Sequence, residues 1–476
     1  MLVVVLLASL ASCSEPPRPT GVVVVLIDTL RADHLSSYGY PRPTSPVLDA
    51  LAEEGTRFEN AIAPSPWTLP STATLMTGLY PSVHQAIWHS DTGEWLNTPE
   101  AFRPASVLSN SHRTLAELLQ QSGFATAAFV RGSYPSAVFG FGQGFDHFAD
   151  NEAPGVRFHV EDALGWLDRE TPERFFLYLH TVEVHSPYTP VELPAYIARN
   201  NPDERLDYYR AEIEEEIVRY KGIDFNSGYD GAVDGSLEAL NALKRKGRLS
   251  ESDLEQLIAL YDRGIAYTDY WIGELLDGLR ERGLYEQTLV IVTSDHGEEF
   301  MDHGALEHSR TFFEEMVRVP LIIRVPGEAA GVVVAQQVGL VDVLPTVLDV
   351  LGVADEVPRQ GRSLRPLWQG RSLDAHSELG EASAIPGVDA LRTNHRKFVR
   401  GPRGQQALYD LDTDPGERIN LCQVDDAPCR PFFTELMARK LENQLRLERL
   451  GTPDPATAEL DDDTREQLRA LGYAED

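Results

Sequence analysis

Three short segments that lie far apart in the chain carry side chains able to cleave an ester together. Thr68 lies in residues 67–72, Trp-Thr-Leu-Pro-Ser-Thr, and offers an oxygen nucleophile. Asp28 closes one apolar run, and Asp295 and His296 close another. Carboxylates, an imidazole and a hydroxyl are the components of a metal-activated nucleophile. These residue types therefore predict a site that attacks an ester centre through a side-chain oxygen.

The elements expected to position these side chains are buried strands. The run Val22–Ile27 is β-branched and continuously apolar, which is typical of a parallel strand covered on both faces. Similar runs lie at Phe175–Leu179, Leu289–Thr293 and Val319–Val325. Functional residues of such sheets gather beyond the carboxyl ends of the strands. Asp28, His185 and Asp295 all follow a strand, so we expect them at one edge of a sheet.

Segments with helical spacing of apolar residues separate the strands. They are Pro46–Glu54, Thr114–Gln121, Val160–Arg169 and Asp253–Arg280. This alternation predicts an α/β fold, with a mostly parallel central sheet sandwiched by helices.

The composition changes after Trp368. Lys397–Arg400 and Ala407–Leu411, joined through residues 401–404 (Gly-Pro-Arg-Gly), predict a hairpin, and Leu436–Leu447 predicts an amphipathic helix. We therefore expect a small C-terminal antiparallel sheet with a helix.

The predicted organisation has four segments and one insertion. Residues 1–13 would be a signal, residues 14–20 a tether, residues 21–373 the catalytic α/β domain and residues 374–476 a small α+β subdomain. A polar, charged stretch at 193–250, with a helix at Ala211–Lys221, would be an insertion that roofs the site.

The N-terminus reads as an export signal. Its apolar run is too short to span a bilayer, which takes about 20 residues. Residues 10–13, Leu-Ala-Ser-Cys, resemble a bacterial lipoprotein signal in which Cys13 becomes the lipidated residue, although no basic residue precedes the run. The alternative is a plain cleaved signal with an incidental cysteine. We expect an exported protein of the periplasm or the outer membrane and cell envelope, held to the membrane only by a lipid anchor.

Charge and cysteine content restrict the possible partners. The formal net charge is −32, and no basic run of the nucleic-acid-binding kind is present, so nucleic acid is not expected as a partner. Cys422 and Cys429, with six residues between them, predict a local disulfide in an exported chain. A pair of free thiols is the alternative.

Several motifs, in order along the chain, resemble those of the sulfatase family within the alkaline phosphatase superfamily. They are Asp28–Leu35, Tyr38–Tyr40, Leu75–Gly78 with Pro81–His84, His185–Tyr188, Ser294–Glu298, Arg318–Ile322, Gly361–Leu364 and Leu408–Leu411. The resemblance runs from Val22 nearly to the C-terminus, and it implies the alkaline phosphatase/sulfatase-like fold and an ester hydrolase or transferase.

The residue at position 68 departs from the usual sulfatase pattern. Sulfatases carry a Cys or Ser two residues before Pro-Ser-Arg and convert it to formylglycine. Here the matching residues are Thr68, Pro70, Ser71 and Thr72. Thr cannot become formylglycine, whereas related phosphodiesterases and phosphoglycerol or phosphoethanolamine transferases use Thr. We therefore expect Thr68 to be the nucleophile, with a role as a mere helix N-cap as the alternative.

The resemblance implies a divalent metal on Asp28, Asp295 and His296, joined by Thr68. This mixed donor set suits Zn²⁺ or Mn²⁺ better than Ca²⁺. The second Asp that sulfatases usually place after the first is Thr29 here.

His185 and His308 form a second group with two possible roles. With Glu183 they would hold a second metal, as in two-metal phosphodiesterases. Otherwise they hydrogen-bond the substrate oxyanion or protonate the leaving group. We expect one ion rather than two. Arg131 is a candidate anion clamp, in place of the lysines that sulfatases carry in that region.

The predicted activity is cleavage of an anionic ester of a small molecule, lipid headgroup or glycan through a covalent Thr68 intermediate. Phosphodiester or phosphonate chemistry is our first expectation. One alternative is a sulfatase that works without formylglycine. Another is an inactive family member that binds envelope polymers, which the complete ligand set argues against.

Overall fold

The computed structural model describes residues 17–88, 105–131, 134–150, 155–186, 188, 250–451, 456–461, 464–465 and 468. The predicted signal with Cys13, the first residues of the tether, the helix Ala211–Lys221 and the rest of the 193–250 insertion except residue 250 lie outside them. Within the described ranges, no helix has the length and apolar character needed to cross a bilayer.

The described chain alternates strands and helices over its first three quarters. The strands are β1 Gly21–Ile27, β2 Thr56–Ile62, β3 Ala125–Val130, β4 His147–Ala149, β5 Phe175–Thr181, β6 Thr288–Thr293, β7 Glu299–Phe300, β8 Leu306–Glu307, β9 Arg318–Arg324, β10 Val332–Val334, β11 Val338–Gly339, β12 Glu378–Gly380, β13 Asp389–Arg392, β14 Arg396–Arg400 and β15 Gln406–Asp410.

The helices cover both faces of the sheet and pack on the C-terminal strands. They are α1 Pro46–Glu54, α2 Thr68–Thr77, α3 Pro81–His84, α4 Leu115–Gln121, α5 Val156–Glu170, α6 Glu251–Glu281, α7 Glu314–Val317, α8 Val343–Leu351, α9 Arg365–Trp368 and α10 Arg430–Leu450.

Nine strands form the central sheet, in the order β10-β2-β9-β6-β1-β5-β3-β4, with β11 also paired to β2. β1 is parallel to both of its neighbours, β5 and β6, whereas β9 runs antiparallel to β2 and β6. The sheet is therefore mostly parallel, and β1 lies inside it rather than at an edge.

The continuous apolar run of β1 is explained by burial on both faces. Val23, Val25 and Ile27 join one hydrophobic cluster, which contains residues of α5 and α6. Val22, Val24 and Leu26 join the other cluster on the opposite face. Alternate residues of a strand point to opposite faces, so both sets must be apolar.

The C-terminal part forms a separate four-stranded antiparallel sheet, in the order β12-β13-β14-β15, with α10 packed against β13 and β14. β14 and β15 form the predicted hairpin, and Gly404, with φ of 79°, turns the chain between them. Cys422 and Cys429 are joined as a disulfide. The fold class predicted from the sequence is confirmed.

A group of largely buried charges joins the C-terminal sheet to helix α7, which directly precedes β9 of the central sheet, and we call it the interface cluster. It contains Glu314, Arg392, Lys397 and Glu417. Both Arg392 and Lys397 contact the Glu314 carboxylate, at 2.8 and 2.7 Å, and Lys397 Nζ also lies 3.0 Å from Glu417 Oε1. The cluster thus balances two carboxylates with two cations, as buried charges require.

Candidate active site

The carboxyl ends of β1 and β6 bring two of the predicted segments together. Asp28 directly follows β1, and Asp295 and His296 follow β6. The two strands are parallel neighbours with Leu26 opposite Thr293, so their ends meet at one edge. Thr68 arrives from a third element, as the first residue of α2. The N-cap of that helix is Trp67, so the geometry does not place Thr68 in the N-cap role.

The four side chains converge in the protein interior. Thr68 Oγ1 lies 3.5 Å from Asp28 Oδ2 and 3.3 Å from His296 Nε2. His296 Nε2 lies 3.4 Å from Asp28 Oδ1 and 3.6 Å from Asp295 Oδ2. None of the four residues is more than 1% exposed. We call this group the ester site.

The donor atoms of the ester site fit a metal ion. One ligand atom each from Asp28, Asp295 and His296 lies within 4.8 Å of the others. Asp28 Oδ1 and Asp295 Oδ2 are buried and have no hydrogen-bond partner among the residues that the structure describes. Buried carboxylate oxygens without hydrogen-bond partners fit the coordination of a divalent cation. His296 Nδ1 lies 2.9 Å from the Gly297 carbonyl oxygen, which accepts a hydrogen bond from it. This contact leaves Nε2 facing the carboxylates.

Burial and neighbouring charges shift the pKa values of Asp28 and Asp295 in opposite directions. Burial alone would raise the pKa of Asp28, but the histidines around it, His185 first, hold that pKa below its ordinary value. Burial, and then the charge of Asp28, raise the pKa of Asp295 well above its ordinary value. Burial lowers the pKa of His296 to about 3, so its ring is the neutral imidazole that metals bind.

Thr29 supports the ligands from a strained backbone position. It is β-branched, yet its φ is 58°, in the left-handed region that such residues avoid. Its amide donates to Asp295 Oδ1 at 3.3 Å, and its hydroxyl donates to the Asp28 carbonyl at 2.7 Å. The Tyr261 hydroxyl donates to the Thr29 carbonyl at 2.7 Å and accepts from the Arg31 amide at 2.8 Å. The sequence did not indicate this contact for Tyr261, because the apolar spacing of Asp253–Arg280 predicts only a buried helix face there.

His185 and His308 lie beside the ester site. Their ring centroids are 4.9 Å apart, and that of His308 is 4.6 Å from the ring of His296. Burial lowers the pKa of both, to about 4 for His308. The two rings thus lie in one cluster with His296, and neutral imidazoles can act there as hydrogen-bond donors.

Glu183 makes its contacts away from this pair, so the second-metal hypothesis stays a prediction without a supporting contact. Its Oε1 accepts from the Val156 amide at 2.5 Å at the start of α5, and its Oε2 contacts the Thr181 hydroxyl. A Cβ at Gly155 would lie 2.1 Å from Glu183 Oε1, so this carboxylate is closely packed where it is. Among the described residues, Glu183, His185 and His308 do not form a group with metal-binding spacing.

Arg131 is not placed at the ester site. It follows β3 and is exposed. Its charge acts on Glu183 and on His159. No ion pair joins it to Asp28 or Asp295 in the described part of the chain. The anion-clamp role stays a prediction without a contact to support it.

Two buried residues at the site carried only weak signals in the sequence. His180, the sixth residue of β5, lies within an apolar strand, and its Nε2 is 3.5 Å from Asp28 Oδ2. Glu298 ends the Ser294–Glu298 motif; it is fully buried, and its Oε1 lies 3.1 Å from His308 Nδ1. A charged residue two positions after a predicted metal ligand was the available signal.

Two family models match the chain. The model described as Sulfatase matches residues 20–353, and the model described as N-sulphoglucosamine sulphohydrolase, C-terminal, matches residues 302–446. The first match alone covers more than half of the chain.

Known proteins resemble the chain at low identity but over most of its length. Arylsulfatase K of Homo sapiens is 24% identical over 453 residues, which are 85% of this chain and 79% of the relative. The arylsulfatase of Clostridium perfringens is 25% identical over 495 residues, or 89% and 94% of the two chains. Among solved structures, the phosphonate monoester hydrolase of Agrobacterium radiobacter superposes with a TM-score of 0.66 at 21% identity, covering 90% of this chain and 96% of its own.

Proposed function

Because the chain belongs to the sulfatase family, we propose that it is a metal-dependent ester hydrolase, or a transferase of the same chemistry, whose nucleophile is Thr68. The observation that carries this proposal is the convergence of Thr68 Oγ1 with Asp28, Asp295 and His296, where Asp28 Oδ1 and Asp295 Oδ2 have no hydrogen-bond partner among the described residues. The metal is Zn²⁺ or Mn²⁺ rather than Ca²⁺, because one of the donors is an imidazole.

The side chains divide the reaction among them. Asp28, Asp295 and His296 would hold the cation, which would lower the pKa of the Thr68 hydroxyl and offset charge on the attacked group. Thr68 Oγ1 attacks the phosphorus or sulfur and passes its proton to His185 or His308, and a covalent ester forms as the bond to the leaving oxygen breaks. The protonated histidine then gives that proton to the leaving oxygen. Water, or an acceptor alcohol in a transferase, then releases Thr68.

The charges of the site favour substrates with a single negative charge on the transferred group. No lysine or arginine of the described residues is ion-paired with Asp28 or Asp295, and burial keeps the neighbouring histidines neutral. Phosphodiesters, phosphonate monoesters and sulfate monoesters carry one such charge, whereas a phosphate monoester carries two near neutral pH. We therefore place phosphodiesters and phosphonate monoesters first, and phosphate monoesters last.

Sulfate-ester hydrolysis without formylglycine is the second candidate. The observation that favours it is the match to arylsulfatases over most of the chain. The residue that disfavours it is Thr68, which cannot be oxidised to an aldehyde at its β-carbon.

The remaining features of the proposal concern organisation and location. The chain would be exported and anchored through lipidated Cys13, with 21–373 as the catalytic domain and 374–476 as the subdomain beside it. The proposed boundary falls between α9 and β12, where the chain passes to the second sheet.

The test is a comparison of three aryl esters on protein that begins after Cys13, with and without added Zn²⁺ or Mn²⁺. The substrates are a phosphodiester, a phosphonate monoester and a sulfate. Thr68→Ala should lower turnover by at least about 10³-fold, because the nucleophile is lost. Thr77→Ala is the matched control, since Thr77 is a buried threonine of the same helix whose hydroxyl donates to the Ala73 carbonyl.

Each outcome decides between the candidates. Phosphoester turnover that Thr68→Ala abolishes and Thr77→Ala preserves would support the proposal. Turnover of the sulfate alone would establish the second candidate. Metal binding without turnover of any ester would favour the inactive polymer-binding alternative, and turnover that survives Thr68→Ala would overturn the nucleophile assignment.

A further inference from the structure

A short hairpin, whose two strands have only two residues each, places Glu298 and His308 opposite each other. β7 and β8 are antiparallel, with Glu299 opposite Glu307 and Phe300 opposite Leu306. Continuing this register by one residue brings position 298 across from position 308. Facing residues of an antiparallel pair have Cβ atoms about 5 Å apart, close enough for their side chains to meet.

The side chains meet as this register predicts. Glu298 Oε1 lies 3.1 Å from His308 Nδ1, and both residues are buried, Glu298 completely. Tyr188 lies against the same carboxyl, where burial and the Glu298 charge raise the pKa of its hydroxyl well above the ordinary value. A contact on Nδ1 directs the opposite nitrogen, Nε2, away from Glu298, and the ring stands next to His296 and His185.

The backbone on both sides of His308 is held in an uncommon conformation. Glu307 has φ of 76° and Ser309 has φ of 80°, although neither is glycine. Such residues cost free energy and persist where the surroundings enforce them, often at functional sites. The Ser309 amide donates to the Pro66 carbonyl at 2.8 Å, which ties this distorted segment to the turn just before Thr68.

We infer that Glu298 is a positioning residue that fixes the orientation of the His308 imidazole beside Thr68. The inference rests on the proposed function, since it gives His308 a role in that reaction. A competing explanation is that Glu298 acts on the ligand His296, two residues earlier in the chain. The geometry favours His308, because His296 Nδ1 is already engaged by the Gly297 carbonyl.

The test is a double-mutant cycle that combines Glu298→Gln with His308→Asn. Glu298→Gln alone should lower kcat/KM on an aryl ester with a poor leaving group, which must be protonated as it departs, by about 10- to 100-fold, the usual effect of losing such an orienting partner. In the His308→Asn background, Glu298→Gln should lower kcat/KM by less than about twofold. Glu298→Asp, which shortens the side chain but keeps the charge, provides a second variant with the same expectation.

Metal content and thermal unfolding of every variant complete the experiment. Glu299→Gln is the matched control, since Glu299 is the next residue and accepts from the His303 and Ala305 amides rather than from His308. Glu299→Gln should change kcat/KM by the same factor in the wild type and in the His308→Asn background.

An equal cost of Glu298→Gln in both backgrounds, or loss of metal from Glu298→Gln, would overturn the inference. If both Glu298 variants failed to fold, Glu298 would be a structural residue and the inference would also fail. Absence of turnover in the wild-type protein would instead remove the proposed function itself.

Discussion

Two groups of buried charge in this molecule are built in opposite ways. In the interface cluster, Glu314 lies between Arg392 and Lys397, and these cations outweigh burial and hold the pKa of Glu314 below its ordinary value. In the ester site, Asp28 and Asp295 have no lysine or arginine beside them among the described residues, and their charges oppose each other. One group is neutralised by lysine and arginine side chains, and the other has neither beside it among the described residues.

This difference fits a role in stability for the interface cluster and the proposed chemical role for the ester site. Burying an ion without a partner costs several kcal/mol, and the interface cluster avoids that cost with cations of the chain itself. Two adjacent carboxylates without a lysine or arginine carry a cost that a bound cation would offset. On the proposed function, stability at the ester site is given up for binding.

The largest effect is expected for Asp295→Asn, which removes one of the unpaired carboxylates. Turnover should fall about 10³- to 10⁴-fold, because several kcal/mol of metal-based charge stabilisation are lost. Metal content, measured by elemental analysis, should fall with it. The chelated variant should unfold at the same temperature as the chelated wild type or higher, because a buried like charge beside Asp28 is gone. A lower unfolding temperature would show that the two groups are not opposites.

The complementary change, Glu314→Gln, should destabilise the protein without removing activity. It leaves Arg392 and Lys397 buried beside one carboxylate fewer, which typically costs about 3–5 kcal/mol in the free energy of unfolding. Denaturant unfolding measures the loss. The control is Asp426→Asn, which breaks an exposed ion pair with Arg430 of 2.9 Å and should leave stability unchanged. Equal losses for the two variants would contradict the role given to the interface cluster.

The buried acidic pair Asp342 and Glu378 is expected to give the smallest effect, and its charge is reduced in a different way. Burial, and then the charge of Glu378, raise the pKa of Asp342 to about 7, so this pair retains a proton instead of a cation. A raised carboxyl pKa contributes stability that is complete below the unfolded value of 3.8 and is lost as the pH rises through about 7.

Asp342→Asn should therefore gain stability relative to the wild type between pH 5 and pH 8, on the order of 2 kcal/mol. Unfolding by denaturant at both values of pH measures the change. Any pH-independent cost of the lost hydrogen bonds to the Gly339 and Arg362 amides cancels in this difference. A difference that does not vary with pH would show that the proton is not retained.

The sequence was most informative where residues are buried on both sides. Continuous apolar runs predicted β1, β5, β6 and β9 to within two residues at either end, and a residue following such a strand is confined to one edge of the sheet. The ester-site residues could thus be assembled from strand ends and motifs.

Polar or short elements were harder to predict. β2, Thr56–Ile62, carries an arginine, a glutamate and an asparagine, and it was not predicted because it lies towards one side of the sheet with half-exposed side chains. The pairing of Glu298 with His308 depends on the register of β7 and β8, which are two residues long each. The burial of Glu183 at the start of α5 is likewise a tertiary contact with no local pattern.

The position of β1 between β5 and β6 determines when its strand pairs can form during synthesis. β1 is among the first segments to be synthesised, yet both of its hydrogen-bonded neighbours, β5 and β6, come much later in the chain. Contacts between distant segments form slowly, because a long loop must close first. A nascent chain therefore carries Asp28 and Thr68 for most of its synthesis without a partner from Asp295 or His296. On the proposed function, the cation could be bound only after synthesis has passed His296 and β6 has paired with β1.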